Sequence, residues 1–92
     1  MVKGLQDGPC FAALFDNATV IDNAGIGREV VGAAKALAEE NEGIGAILMT
    51  CSDIPPYAAA VQEATGLPVF DYVSMIRWLH DAVAQRVYRG IL

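Results

Sequence analysis

The sequence has a single histidine, His80, and two cysteines, Cys10 and Cys51, with no Cys-x-x-Cys pair and no His–Cys cluster. A structural zinc site takes about four nitrogen and sulfur ligands, so no metal is expected. Two isolated thiols are expected to stay reduced rather than bridged. Charge is also scarce. Only 18% of residues are charged, six basic against eleven acidic, for a net charge of −5. A chain of that sign is repelled by phosphate backbones, and there is no basic run, so nucleic-acid binding is not expected. No apolar stretch reaches the roughly 18–20 residues of a membrane span. Met1 to Pro9, with Gln6, Asp7 and two glycines, does not read as a signal peptide, and the expected compartment is the cytoplasm.

What the sequence has in excess is apolar surface. Of its 92 residues, 54% are hydrophobic. So short a chain buries a modest share of its surface on folding. The composition therefore predicts a folded α/β unit, residues 1–92 as a single domain, with apolar surface left for a partner.

Cys10–Phe15 (CFAALF) reads as a short buried strand, with a helical turn as the alternative for so brief a run. A polar loop, Asp16–Gly27, follows. Val30, Val31, Ala34, Leu37 and Ala38 then recur at helical spacing, with Glu29, Lys35, Glu39 and Glu40 on the other side, so Arg28–Asn41 is a predicted helix. Gly45–Cys51 (GAILMTC) reads as a strand covered on both faces. Ile54-Pro55-Pro56 leads into a helix from Tyr57 to Thr65, closed by Gly66, with Ser52 or Asp53 the expected N-cap. Pro68–Tyr72 is a third strand and Val73–Tyr88 a third helix, with Ser74 near its start. Alternation of this kind predicts a small parallel sheet of about three strands with crossover helices. Ligands then bind beyond the carboxyl ends of the strands, where Asp16-Asn17, Thr50–Asp53 and Asp71-Tyr72 converge.

Cys51 stands out on that rim. A thiol between a strand end and a helix N-terminus meets backbone N–H groups that favour thiolate, and the same groups can hold a substrate carboxylate. The competing reading is a buried structural cysteine, a common fate of free thiols. Thr50, Ser52 and Asp53 are the expected substrate-binding neighbours. Cys10, at the start of its strand, is expected at the opposite rim. His80 reads as a surface residue pairing with a neighbour. Tyr72, Trp78 and Tyr88 read as packing groups. Gly25-x-Gly27 lacks the preceding strand and full spacing of a dinucleotide site.

The segment Gly45–Asp71, with Cys51-Ser52-Asp53, Pro55-Pro56-Tyr57 and the Gly66–Asp71 strand, resembles the C-terminal half of the aspartate/glutamate racemase superfamily, in its Asp/Glu/hydantoin racemase-like branch. The resemblance implies one half of a two-domain fold and a cofactor-independent isomerase. It implies that Cys51 is a catalytic thiol acting as acid/base at a substrate α-carbon and that Ser52 binds the substrate carboxylate. It implies a small amino acid or related carboxylate as substrate, and no metal, nucleotide or pyridoxal phosphate. Members of that family are more than twice as long and carry a first catalytic cysteine in the half missing here. The resemblance thus implies a truncated chain, inactive alone, that pairs with the missing half or with itself. The alternative is a non-catalytic interaction or small-ligand-binding remnant of the same fold.

Overall fold

A computed structural model describes residues 1–16 and 20–90. Among these residues it is a mixed α/β structure of four α-helices and a two-stranded parallel sheet: α1 (Pro9–Ala12) continuing as a 3-10 turn (Ala13–Phe15), α2 (Asn23–Glu40), β1 (Ile47–Leu48), a 3-10 turn (Pro55–Tyr57), α3 (Ala58–Thr65), β2 (Val69–Phe70) and α4 (Tyr72–Val83). Ile47 pairs with Val69 and Leu48 with Phe70. Ile47 N–H donates to the Pro68 carbonyl at 2.9 Å and Met49 N–H to the Phe70 carbonyl at 2.8 Å.

The expected third strand is not one. Cys10–Phe15 is helical, the alternative that its length left open. Pro9 occupies the first turn, where its missing N–H has no partner to lose. Phe11 and Leu14, three residues apart, both turn toward the core, and Phe15 meets Phe11 edge-on with ring centroids 5.5 Å apart. The helix predicted from Arg28 begins at Asn23, because Asp22 Oδ1 accepts from the Gly25 N–H at 2.9 Å and starts it a turn early. Gly66 closes α3 in the left-handed region, φ 69°, where a side chain would be strained. The last helix stops at Val83 rather than Tyr88.

The core lies where α1, α2 and α3 meet one face of the sheet. Ile26 and Val61 are its fully buried centre, with Phe11, Val30, Ala34, Ile47, Met49 and Ile54 around them. The other sheet face is bare: Leu48 and Phe70 are exposed. The helix α4 contributes nothing to this core, since none of its residues is buried. Its start is firmly set nonetheless. Asp71 Oδ1 accepts from the Ser74 N–H at 2.7 Å while the Asp71 N–H donates to Ser74 Oγ at 2.9 Å, a reciprocal capping box.

Candidate functional site

The parallel pairing brings the carboxyl ends of both strands to one rim. There Thr50, Cys51, Ser52 and Asp53, leaving β1, share a cleft of about 670 Å³ with Phe15 from the 3-10 turn and with Tyr72 and Ile76 from α4. Cys51 is half-buried, while Thr50, Ser52 and Asp53 are exposed. The Cys51 S–H donates to Asp53 Oδ2 at 3.8 Å. Behind it, Cys51 also borders a second hollow of about 330 Å³ beneath the N-terminal segment, against Phe11, Met49 and Ile54.

The turn that presents Cys51 is anchored at its far end. Ile54 is buried, its N–H donates to the Cys51 carbonyl at 3.5 Å, and its own carbonyl accepts from the Tyr57 N–H at 3.0 Å. The Tyr57 hydroxyl donates to Asn23 Oδ1 at the start of α2, and the Tyr57 ring lies against Gly27, where a Cβ would come within 3.3 Å. The turn thus leans on the N-terminal end of α2.

The expected placement of Cys51 at a helix N-terminus is not found. Residues Ser52 and Asp53 form a turn, and neither caps a helix. Two prolines, without N–H groups, open the 3-10 turn, and α3 itself starts only at Ala58. The polar partner of the thiol is instead the Asp53 carboxylate. Of the other rim residues, Asp16 is exposed at the end of its 3-10 turn, and Asn17 lies outside the described residues. Asp71 is buried in its capping box, so its carboxylate serves the helix rather than the cleft. His80 Nδ1 lies 3.8 Å from Asp81 Oδ1 on an exposed surface, as its sequence neighbours suggest. Trp78 and Tyr88, read as packing residues, are exposed.

Cys10 is not on an opposite sheet rim, because its segment is not in the sheet. Its setting is electronegative. Its backbone N–H and that of Phe11 each donate to one oxygen of the Glu29 carboxylate, both at 2.8 Å, and its S–H donates to Asp22 Oδ2 at 3.7 Å. Burial pushes the Cys10 thiol up, and the adjacent Glu29 and Asp22 carboxylates push it further the same way. Burial alone would raise Glu29 too, but the two N–H donors outweigh it and hold that carboxyl below its ordinary range. Glu29 thus caps α1 from another helix. Sequence periodicity had placed it on the outer side of α2. The one available signal was at residues 8–9, where Gly8 has no side chain to cap the helix that Pro9 opens.

Among the described residues no group of three or more His, Cys, Asp or Glu side chains is placed to hold a metal ion. Among the described residues, no helix is long and apolar enough to cross a membrane.

No family model and no solved structure matches the chain. Curated relatives do. Dimethylsulfoniopropionate lyase 5 of Emiliania huxleyi (strain CCMP1516) is 32% identical over 90 residues, which is 98% of this chain and 18% of the relative. Dimethylsulfoniopropionate lyase 7 of the same organism is 37% identical over 78 residues, 80% of this chain and 23% of the relative. The dimethylsulfoniopropionate lyase of Durusdinium sp. clade D is 37% identical over 73 residues, 79% of this chain and 24% of the relative. The chain spans about a fifth of the length of these relatives. These findings overturn the expectation of an aspartate/glutamate racemase, and with it the isomerase activity. A Cys-Ser-Asp turn followed by Pro-Pro-Tyr describes a turn that carries a thiol, and it does not by itself name a reaction. Over most of its length the chain is similar to proteins named dimethylsulfoniopropionate lyases.

Proposed function

We propose that this chain is one α/β unit of a lyase acting on dimethylsulfoniopropionate or a closely related sulfonium carboxylate, with Cys51 as the base. The observation that carries the reading is the identity of 32–37% with lyases of that name over a stretch that includes the Cys51 turn. The substrate joins a dimethylsulfonium cation to a carboxylate through two carbons. Elimination breaks the C–H bond beside the carboxylate and passes that proton to the Cys51 thiolate. The C–H electron pair becomes the C=C bond of acrylate, and the C–S pair leaves with sulfur as neutral dimethyl sulfide. Such a reaction needs one base on one face, so a single thiol is chemically sufficient.

The cleft offers a matching group for each part of such a substrate. Thr50 and Ser52 line the cleft on either side of Cys51, and in this reading their hydroxyls hold the carboxylate, while Phe15 and Tyr72 border the same space. Aromatic faces attract compact organic cations. Asp53 accepts from the Cys51 S–H and so fixes the direction of the thiol in the cleft. The test is release of dimethyl sulfide from dimethylsulfoniopropionate, read by headspace gas chromatography, for the native chain and for Cys51→Ala and Cys10→Ala. Release lost with Cys51→Ala and kept with Cys10→Ala supports the reading. Equal release from native and Cys51→Ala chains contradicts it.

A further inference from the structure

We infer that Tyr57 is a positioning residue for Cys51: its hydroxyl, held by Asn23 at the start of α2, fixes the turn that carries the thiol. The inference rests on the reading of Cys51 as the base. Neither Tyr57 nor Asn23 lines the Cys51 cleft, so both act through the backbone of the turn.

The turn has a weak hold of its own. Ser52 and Asp53 are exposed, and the bond that closes the turn, from the Ile54 N–H to the Cys51 carbonyl, is long at 3.5 Å. The place of Cys51 therefore depends on what holds Ile54 and the residues after it. The Ile54 side chain is buried, and its carbonyl accepts from the Tyr57 N–H at 3.0 Å. Pro55 and Pro56, each with a fixed φ, make the link between them stiff. Tyr57 then rests on α2 at two points. Its ring lies against Gly27 and its hydroxyl donates to Asn23 Oδ1. Asn23 and Gly27 are four residues apart on one face of the helix, a rise of about one turn that the ring and its hydroxyl span.

The far end of this strut is firm. Asp22 Oδ1 caps the Gly25 N–H at 2.9 Å and sets where α2 begins, and Ile26, in the same first turn, is fully buried at the centre of the core. The Asn23 acceptor is thus fixed to the most rigid part of the chain, 34 residues away in sequence from the hydroxyl that it holds. A phenylalanine at position 57 would pack its ring on Gly27 as the tyrosine does, so the hydroxyl is the part of the side chain that packing does not account for. A base must keep its sulfur within reach of the C–H bond, and small misplacements are costly. A loosened turn leaves the half-buried thiol more open to a small reagent and less often in reacting geometry. Loss of the hydroxyl therefore moves two readouts in opposite directions, whereas a role in packing alone moves neither.

The experiment is the rate of iodoacetamide alkylation at Cys51 in the full chain, resolved from Cys10 by peptide mass, with dimethyl sulfide release and thermal unfolding read on the same samples. Tyr57→Phe keeps the ring and removes the donor, and Asn23→Ala removes the acceptor and keeps the tyrosine. Each is expected to speed alkylation of Cys51 about fivefold, the effect of one net hydrogen bond on a local opening equilibrium. Each is expected to lower kcat for dimethyl sulfide release with KM unchanged, and to leave the thermal midpoint close to the native one. The double variant is expected to match the single ones, because both break the same bond. Asn23→Asp keeps an acceptor and is expected to behave as the native chain. Alkylation unchanged in Tyr57→Phe and Asn23→Ala overturns the proposal. So do effects that multiply in the double variant, and so does a thermal midpoint that falls in step with faster alkylation. The alkylation rates need no turnover: a chain that releases no dimethyl sulfide contradicts the lyase reading, and the coupling of the Tyr57 hydroxyl to Cys51 is still decided by alkylation.

Discussion

Asp71→Ala separates the stability of α4 from that of the body. The carboxylate accepts from the Ser74 N–H at 2.7 Å, and the alanine leaves that donor without its partner at the buried start of the helix. Loss of an N-cap acceptor costs about 1 kcal/mol. A 12-residue helix that buries nothing is near balance by itself. A cost of that size therefore shifts its helix–coil ratio about fivefold. From balance, that shift lowers the helical fraction of α4 from about one half to about one sixth. The body is expected to melt as before, since Ile26 and Val61 pack away from α4. Hydrogen exchange at residues 75–82 reads the local effect and thermal unfolding the body. Asp71→Asn keeps an acceptor and is expected to recover most of the loss. Unchanged exchange in α4, or a fall in body stability as large as a core truncation gives, would refute the reasoning.

Two further outcomes follow from the core and from the Glu29 cap. Ile26→Ala removes a side chain that is 1% exposed at the centre of the core. It is expected to cost roughly 2–5 kcal/mol in denaturant unfolding, a large part of the margin of so small a chain; a cost under about 1 kcal/mol would mean that the core is centred elsewhere. Glu29 has a depressed carboxyl in the folded chain. Its stabilisation is therefore complete above its ordinary value of 4.5 and is lost as pH falls through the lowered one. Glu29→Gln is expected to destabilise the chain at neutral pH and to flatten its acid unfolding profile, and a profile parallel to the native one would show that the carboxylate does not cap α1.

Much of the scaffold is legible in the sequence because its signals are local. Val30 and Ala34 mark the buried stripe of α2, with Leu37 packed beside it, Gly66 marks the end of α3, and the run at residues 45–51 contains β1, which is only Ile47–Leu48 and is covered on one face rather than the expected two. Two parallel strands then place Thr50–Asp53 and Tyr72 on one rim, which is why the Cys51 cleft could be anticipated from topology. Cys10–Phe15 misleads because six residues are too few to separate a strand from a buried helical turn. The Glu29 cap is illegible because it joins residues 18 and 19 apart in sequence through a contact that only the folded chain makes. The chemistry misleads for a different reason. The residues from Cys51 to Tyr57 fix a thiol-bearing turn and name no substrate, and Phe15 and Tyr72 reach the same cleft from distant segments.

The central claim is that Cys51 is the base of an elimination. Its most direct test is the transfer itself: dimethylsulfoniopropionate incubated in D₂O with the native chain and with Cys51→Ala, followed by proton NMR of the carbon beside the carboxylate and gas chromatography of the headspace. The account predicts acrylate and dimethyl sulfide in equal amounts with the native chain and neither above the buffer rate with Cys51→Ala. Dimethyl sulfide formed at the same rate by both chains would contradict it.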